Sequence, residues 1–527
     1  MRFLALLVGA ILSLPSGASA QDLVLEDEVA DGAPPYSELP FTVPAGTVEI
    51  EVRHDDLSEA NILDWGLRDP ERFRGWGGGN VEPAVVGEQA ASRSYLAGPI
   101  PEGEWAVLIG KALVAEPPAR YRIEIFFRTA PTLPAQDERA PYAPAAALDT
   151  GPRWFAGDFH VHSRESGDAR PTLDEVADFA ASRGLDFVEL SEHNTVSQHD
   201  FIGDAQARHP DVLFLPGIEV TTYFGHANAI GATEWIDFQV MSDTATSIET
   251  MLAATETQGA VFSINHPVLD LGDQCLGCAW MLASDAARVA AVEIQNGAYS
   301  VTGALFYAQA LRFWEELLDA GAHVAAIGGS DDHRAGVDLG MFGSPIGSPT
   351  TMVYADELTA VAIAEAVAAG RTVVKLEGPD DPMVELTAGD AMLGDTVTDR
   401  TVELRARVTG GMGTMLRFVR NGRTHETVAV DADPFETTLS VDAPPGDADD
   451  RWRLELVSGT PRVLTSHIWV QATGDPVPPD AGPDAGSTGG SGDDGCGCRT
   501  VPRDDVPLGL ALVLAALALL RTRRVSS

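Results

Sequence analysis

Gly157-Asp158-Phe159-His160-Val161-His162-Ser163 decides the fold of this chain, because a strand-like run ends there with two histidines two residues apart. In an extended strand, residues two apart point to the same side of the sheet. His160 and His162 can therefore face one metal ion together. Neutral imidazole combined with carboxylate suits Zn, Mn or Fe, so this segment indicates a metal site at the end of a strand.

The same arrangement recurs further along the chain, where four more apolar runs are followed by His, Asp or Glu. These segments are Glu189-Leu190-Ser191-Glu192-His193-Asn194, Pro216-Gly217-Ile218-Glu219 with Gly225-His226, Ile264-Asn265-His266-Pro267, and Gly328-Gly329-Ser330-Asp331-Asp332-His333. Asp331 and His333 repeat the spacing of two. Because ligands bind beyond the carboxyl ends of strands in parallel α/β folds, we expect these side chains to meet at one rim.

The segment 151–375 alternates short apolar runs with helical patterns, which predicts a parallel sheet or barrel. Candidate strands are 185–191, 212–219, 260–264, 289–294 and 323–328. One helix should begin after Thr172, a plausible N-cap, and others should cover 305–320 and 357–369.

Nine of the 12 histidines lie between His160 and His333. A single histidine at a strand end is usually a hydrogen-bonded polar residue, and we assign that role to His199, His209 and His323. The clustered histidines do not serve to fill an apolar core, and buried polar groups need hydrogen-bond or metal partners. Together with the carboxylates they exceed what one ion needs, so two or three divalent ions are expected.

The ordered motifs resemble the polymerase-and-histidinol-phosphatase (PHP) superfamily of metallophosphoesterases. The matching strings are Asp158-x-His160-x-His162-Ser163, Glu192-His193-Asn194, Glu219 with His226, Asn265-His266-Pro267, and Ser330-Asp331-x-His333. The resemblance covers about 153–375 and implies a distorted (β/α)7 barrel with a di- or trinuclear metal site. Carried over position by position, it implies the ligands His160, His162, Asp168, His193, Glu219, His226, His266, Asp331 and His333. Asp168 lies one residue further from His162 than in many PHP proteins, and Glu192 stands where Asp is commoner.

Within the superfamily the chain looks most like the carbaryl-hydrolase-like CehA/McbA branch, whose members are often exported and carry extra β domains. Glu293-Ile294-Gln295-Asn296 also resembles that branch. Asn296 could face the substrate, although a turn before Gly297 explains it equally well. Arg164 and Arg334 flank the ligand motifs and could clamp a phosphate by bidentate hydrogen bonds. Solvated surface arginines are the alternative.

The ligand set predicts hydrolysis by a water that metal ions share and activate. The leading hypothesis is a phosphoesterase, either a nucleotide phosphatase or a 5′–3′ exonuclease-like enzyme. The alternative is a carbamate, amide or carboxyl-ester hydrolase, which the CehA/McbA likeness favours. A third hypothesis is a surface binding protein with a degenerate PHP domain, and this predicts missing ligands.

Sequence on both sides of the metal motifs alternates with period two, which is typical of half-buried strands. We predict a β-sandwich over 22–130, a Pro/Ala-rich linker over 131–150 and an Ig-like β-sandwich over 376–472. Residues 473–495 repeat Pro-Asp-Ala-Gly and cannot bury a core, so they should form a disordered tether. The expected fold class is α/β: a PHP-type barrel flanked by two β-sandwiches.

Both ends carry targeting signals. Residues 1–20 combine Arg2, an apolar run and Ala18-Ser19-Ala20, which predicts a signal peptide cleaved before Gln21. Residues 496–527 contain a cysteine pair, a short apolar run and a basic end, and they resemble the MYXO-CTERM sorting tail of exported proteins. That resemblance implies processing by a sorting protease, and surface anchoring through the membrane or release.

The net charge of −43 disfavours long nucleic acid as a partner, because such proteins neutralise phosphates with Lys and Arg. A small phosphate substrate stays compatible, since a metal cluster supplies local positive charge. Cys275 and Cys278 could form a redox or zinc site, but no second pair lies nearby to complete four thiolates. In an exported protein we expect a disulfide that staples a loop over the active site.

Overall fold

A computed structural model describes residues 23–471, apart from 243–244, 273–274, 304, 342 and 447. The predicted signal peptide, tether and sorting segment lie outside the described residues. Within the described part of the chain, no helix has the length and apolar character needed to cross a membrane.

The N-terminal region is built from two four-stranded antiparallel sheets. Its strands are β1 (Leu23–Val29), β2 (Tyr36–Val43), β3 (Glu49–Asp55), β4 (Ile62–Arg68), β5 (Phe73–Gly78), β6 (Ala84–Gly87), β7 (Gly103–Leu113) and β8 (Ala119–Arg128). The strand orders are β1-β8-β3-β6 and β2-β7-β4-β5. Alternate residues such as Ile123 and Ile125 are fully buried and pack against Trp65 and Trp105 of the other sheet. The two sheets therefore share one apolar core, as in a sandwich.

The central region mixes ten strands with five helices. The strands are β9 (Thr150–Val161), β10 (Phe187–Leu190), β11 (Leu213–Pro216), β12 (Glu219–Thr222), β13 (Gly225–Ile230), β14 (Val261–Ile264), β15 (Ala291–Asn296), β16 (Ala325–Gly329), β17 (Thr350–Glu357) and β18 (Thr372–Lys375). The helices are α1 (Leu173–Ser182), α2 (His199–Arg208), α3 (Ile248–Thr257), α4 (Tyr307–Asp319) and α5 (Ala360–Ala368). Single turns of 3₁₀ and π helix occur at Ala286–Arg288 and Tyr299–Gly303.

Local signals in the sequence located part of this region: the five candidate strands correspond to β10, β11, β14, β15 and β16, and the three predicted helices to α1, α4 and α5. The elements α2, α3, β13, β17 and β18 were not predicted from the sequence. Thr172 caps α1 and forms a capping box with Glu175, so the predicted start of this helix is confirmed. The short apolar runs form strands because every residue of β10, β11 and β14 is buried, as expected for strands covered on both faces.

The structure does not confirm a full (β/α)7 barrel. β9, β10 and β11 pair in parallel, and so do β14, β15 and β16, but β12, β13 and β14 pair antiparallel. The five-stranded sheet β12-β13-β14-β15-β16 meets the sheet of β9–β11 through two isolated parallel bridges, His193↔Glu219 and Val161↔Asp332. These two bridges lie at the ends of the parallel strands and bring the following loops together.

The C-terminal region also contains two sheets. Its strands are β19 (Met383–Ala388), β20 (Ala391–Met392), β21 (Thr396–Val397), β22 (Thr401–Thr409), β23 (Met415–Arg420), β24 (Arg423–Ala429), β25 (Phe435–Asp442), β26 (Asp449–Ser458), β27 (Thr460–Thr465) and β28 (Ile468–Gln471). β19, β20, β22 and β25 form one sheet. The other sheet continues the central one, because β27 pairs antiparallel with β18 through Val374↔Leu464. The predicted second sandwich is thus joined to the central region by hydrogen bonds between strands.

Candidate metal centre

The nine residues that the PHP resemblance implies as ligands all lie where strands end or turn. His160 is the second-last residue of β9, and His162 and Asp168 follow that strand. His193 follows β10, Glu219 begins β12 and His226 is in β13. His266 follows β14, while Asp331 and His333 follow β16. The structure brings all nine into one continuous set of contacts.

Glu219 is the centre of this cluster, and it is fully buried. Its Oε1 atom lies 3.3 Å from a ring nitrogen of each of three histidines: His160, His226 and His266. Its Oε2 atom lies 2.8 Å from His193 Nδ1 and 3.6 Å from His162 Nε2. One carboxylate therefore faces five imidazoles.

Asp331 provides a second carboxylate, which faces the same Nε2 atoms of His160 and His162 as Glu219 does. Its Oδ1 atom lies 3.4 Å from His160 Nε2 and 3.3 Å from His162 Nε2. The same oxygen lies 3.5 Å from His333 Nδ1. The backbone of Asp331 has φ +57° and that of His266 has φ +25°, and such strained conformations cluster at functional sites.

Asp168 forms the outer end of the cluster. Its Oδ2 atom lies 3.5 Å from His193 Nε2 and 3.4 Å from His333 Nε2. The side chain of Asp168 is 61% exposed, whereas those of His193 and His333 are 21% and 24% exposed. The cluster thus opens to solvent on this side and is closed on the side of Glu219.

The donor atoms fit divalent cations. Three sets of three candidate ligand atoms each lie within 4.8 Å of one another: His162, His193 and His333; His160, Glu219 and His266; and His160, His162 and Asp331. A fourth set, His226, His266 and Cys278, includes a sulfur that is bonded to Cys275 and is therefore not a thiolate ligand. The Nε2 atoms of His160 and His162 are buried without a hydrogen-bond partner among the described residues. Buried polar atoms are normally satisfied, so the orphaned nitrogens match ligands that bind an ion.

The charges of the cluster are set by burial and by neighbouring groups. Burial acts to raise the pKa of the Glu219 carboxyl, but the charges of His160 and His193 outweigh it and hold that pKa well below its usual range. Glu219 is therefore ionised and can neutralise bound cations. Burial raises the pKa of Glu192 to about 7 against the hydrogen bonds it accepts from Ser163.

A second layer of polar groups holds the histidine rings. His162 Nδ1 and Ser166 Oγ are 3.0 Å apart, and the same hydroxyl accepts a bond from the backbone N–H of His193 at 3.1 Å. Asp158 accepts backbone N–H bonds from His160 and Ser330, both at 3.0 Å. These contacts tie the end of β9 to the ends of β10 and β16. Ligand orientation in metal sites depends on such supporting bonds.

Glu293 faces the cluster from β15, and sequence reasoning assigned it no role in the site although it singled out the run Glu293-Ile294-Gln295-Asn296. Its Oε1 atom lies 3.3 Å from His160 Nδ1, and its Oε2 atom accepts the backbone N–H of His266 at 2.7 Å. The available signal was its position: an acidic residue inside the buried run Ala291–Asn296 needs a polar partner. Glu189 in β10 carried the same signal, and it accepts a hydrogen bond from Asn228 at 3.3 Å.

The three candidate substrate-binding residues have different surroundings. Asn296 is buried, and its Nδ2 atom lies 3.3 Å from Glu293 Oε2 and 3.4 Å from Asp331 Oδ2, so it belongs to the cluster. Arg164 lines a cavity of about 520 Å³ together with Arg93 and Arg170. Arg334 is exposed and is not among the described residues that line this cavity. The two predicted arginines therefore do not share one pocket.

The histidines assigned a structural role have partners of their own. His199 shares a hydrogen bond with Gly217 O at 3.2 Å, and His209 lies 2.8 Å from Asp174. His323 stacks on Trp469 with ring centroids 3.7 Å apart. The structure also forms the predicted disulfide between Cys275 and Cys278, in the loop after β14.

Comparison with known proteins gives only distant similarities. No family model matches the chain. No curated protein matches it either. A two-domain protein from Bacteroides vulgatus ATCC 8482, described as containing a predicted PHP-like metal-dependent phosphoesterase, is 18% identical. That alignment covers 63% of this chain and 100% of that chain, with a TM-score of 0.35.

An amidohydrolase from Chromobacterium violaceum, solved with bound sulfate and no metal, is also 18% identical. The alignment covers 36% of this chain and 93% of that chain, with a TM-score of 0.23. Similarities at these levels indicate no function, whereas the geometry of the cluster itself is suited to binding divalent cations.

Proposed function

We propose that this protein is an exported, metal-dependent hydrolase of the PHP type. The observation that carries the proposal is the contact of Glu219 with five imidazoles, two of which present buried nitrogens without a hydrogen-bond partner among the described residues. Such a donor set holds two or three divalent cations of the Zn, Mn or Fe type. Bound there, the cations supply an activated water and stabilise the oxyanion that develops during hydrolysis.

The chain's own residues supply binding and orientation. Glu219 and Asp331 balance the charge of the cations, while Glu293 and Ser166 orient the rings of His160 and His162. The exposed end at Asp168 gives the substrate access to the cluster. The amide of Asn296 lies beside Asp331 and can donate to a substrate oxygen.

A phosphate ester is the leading substrate class. In a chain with a net charge of −43, the cavity at Arg164 gathers three guanidinium groups and one carboxylate, that of Glu82. Glu82 lies 3.0 Å from Arg93. Among the described residues, no carboxylate lies within 4.0 Å of the Arg170 guanidinium. Guanidinium groups bind phosphate bidentately, so this cavity suits the anionic part of a nucleotide or phosphate monoester.

A carbamate, amide or carboxyl ester is the second candidate, and a different observation favours it. Five exposed apolar side chains lie in the loops that follow β14, β15 and β16, at the same strand ends as His266 and Asp331: Met281, Val301, Leu305, Val337 and Met341. Apolar groups at this rim suit an uncharged organic ester, whose carbonyl carbon accepts the same attacking water.

Export and surface attachment belong to the proposal through the two end segments of the sequence. The signal peptide at 1–20 and the sorting segment at 496–527 favour a protein that is secreted or held at the cell surface. The Cys275–Cys278 disulfide fits an oxidising compartment. A binding protein with a degenerate site is disfavoured because all nine implied ligands are present and in contact.

Metal quantification combined with a substrate screen tests the proposal. The purified protein is loaded with Mn²⁺ or Zn²⁺ and assayed on p-nitrophenyl phosphate, bis(p-nitrophenyl) phosphate, and acyl and carbamate esters. His160→Ala should lose metal and activity, whereas His209→Ala, which removes a contact between the end of α2 and Asp174 of α1, should keep both. Activity on carbonyl esters alone would reject the phosphoesterase assignment. Less than one equivalent of metal in the wild type would favour the binding-protein hypothesis.

A further inference from the structure

The disulfide loop Cys275–Cys278 makes direct contact with two of the candidate metal ligands. The carbonyl oxygen of Leu276 lies 3.3 Å from His226 Nε2, and that of Cys278 lies 3.2 Å from His266 Nδ1. A carbonyl oxygen can only accept a hydrogen bond. Each contact therefore requires a proton on the ring nitrogen that faces the loop.

The remaining nitrogen of each ring faces Glu219. His226 Nδ1 and His266 Nε2 both lie 3.3 Å from Glu219 Oε1. The loop thus selects opposite tautomers for the two rings and leaves the unprotonated nitrogen of each on the side of the cluster. A metal ligand needs this arrangement, since the hydrogen bond at one nitrogen determines which nitrogen binds the ion.

The loop is held in place by its backbone as well as by the disulfide. Gly277 has φ +77°, and a Cβ atom added there would lie 2.5 Å from Thr222 O and 2.6 Å from Tyr223 Cα. The loop backbone therefore packs against the hairpin between β12 and β13, which carries Glu219 and His226. Cys278 itself is only 1% exposed.

We propose that the disulfide-closed loop Cys275–Cys278 is a positioning element that fixes the ring orientation and tautomer of His226 and His266, so that metal affinity depends on the oxidised disulfide. This inference rests on the proposed metal centre. Two carbonyls two residues apart can meet two rings only while the loop keeps its closed shape. An open loop frees both carbonyls and lets the rings turn.

The redox step needs a dithiol as the reductant. Two electrons and two protons from the dithiol convert the Cys275–Cys278 bond into two thiols, and the dithiol becomes a disulfide. The centre is therefore competent for metal in an oxidising compartment and weakened in a reducing one.

Two variants that disturb the loop in different ways test this inference. Cys275→Ser/Cys278→Ser removes the disulfide, and Gly277→Ala keeps the disulfide but displaces the loop from Thr222. Gly272→Ala is the matched control, because Gly272 has φ +56° in the same loop and a Cβ there meets nothing within 4 Å. The probe is Mn²⁺, a hard ion that thiolates bind poorly, titrated calorimetrically into chelator-treated protein.

Both loop variants should bind Mn²⁺ at least about tenfold more weakly than the wild type, as is typical for loss of a group that orients a ligand. Gly272→Ala should bind as the wild type does. Histidine ¹⁵N NMR of the metal-free protein should show one tautomer for His226 and the other for His266 in the wild type, and mixtures in the variants. Circular dichroism checks that each variant is folded.

The possible failures can be told apart. If the wild type binds no Mn²⁺, the proposed metal centre is wrong. If the wild type binds Mn²⁺ and folded Gly277→Ala binds it within twofold, the positioning role is wrong. If the folded variants keep the same tautomers of His226 and His266 as the wild type, the positioning role is wrong as well.

Discussion

The imidazole of His160 lies between two carboxylates, with Nδ1 3.3 Å from Glu293 Oε1 and Nε2 3.3 Å from Glu219 Oε1. Glu293 therefore orients the His160 ring through Nδ1, and Nε2 of the same ring points toward Glu219. This arrangement links β15 to β9 across the cluster and explains why an acidic residue occupies a buried strand.

Replacement of Glu293 should weaken metal binding while leaving the fold intact. Glu293→Gln keeps the volume and the bond to the His266 N–H but removes the charge beside His160. Loss of such an orienting carboxylate typically costs 10–100-fold in metal affinity, and we expect that decrease in a calorimetric titration with Zn²⁺. Glu316→Gln, at an exposed position on α4, is the control and should change nothing. Equal affinities would show that Glu293 has only a structural role.

Metal removal should lower the melting temperature. An ion that binds only the folded state stabilises it by about 2.7 kcal/mol when its free concentration is one hundred times Kd. Dialysis against a chelator should therefore reduce the melting temperature, and Mn²⁺ or Zn²⁺ should restore it. Glu219→Gln removes the charge that faces five histidines. The melting temperature of this variant should therefore rise far less when metal is added. A wild type that melts at one temperature with and without metal contradicts the proposed centre.

The arginine cavity should determine affinity for anionic substrates. Arg164→Ala and Arg170→Ala should each raise KM for a phosphate monoester by about tenfold, which corresponds to one charge-assisted hydrogen bond. KM for a neutral ester should stay constant, because such a substrate carries no phosphate for the two guanidinium groups to bind. Steady-state kinetics on both substrate types provides the measurement. Arg334→Ala, an exposed residue outside the cavity, serves as the control.

Acid should destabilise the protein through His199. Burial lowers the pKa of this histidine to about 4, well below the ordinary value of 6.5. The unfolded state binds the proton more readily, so the stability is complete above pH 6.5 and is lost as the pH falls toward 4. The loss reaches about 3 kcal/mol per molecule once both states are protonated.

Urea unfolding at pH 7 and pH 5 measures the part of this loss that occurs between those two pH values. His199→Gln keeps a donor for Gly217 O but cannot titrate, so its stability should depend less on pH than that of the wild type. The comparison between the two proteins cancels the contribution of other histidines. The same pH dependence in both would assign the acid sensitivity elsewhere.

Local sequence patterns predicted much of the central region. The run Phe187–Leu190 is apolar and short, as a fully buried strand must be, and Thr172 supplies a side-chain oxygen at the start of α1. The spacing of His160 and His162 placed both rings on one side of the chain. These features depend on neighbours within a few residues, and a sequence displays such neighbours directly.

Long-range pairing could not be predicted in the same way. Nothing near Val374 or Leu464 indicates that β18 and β27 pair and join the C-terminal strands to the central sheet. Glu293 looked like part of a strand, and its role emerged only from its distance to His160. Such contacts depend on how separate segments pack.

The amino-acid sequence alone supplied the imidazole and carboxylate groups, and through its PHP resemblance it implied nine of them as metal ligands, because that chemistry is a property of each side chain and the motifs are local. Tertiary structure decided which of them share one carboxylate, which nitrogen of His226 and His266 faces Glu219, and which side opens to solvent. Those outcomes depend on contacts between residues that are far apart in the sequence. They are set by the packing of β9, β10, β12 and β16 around the cluster.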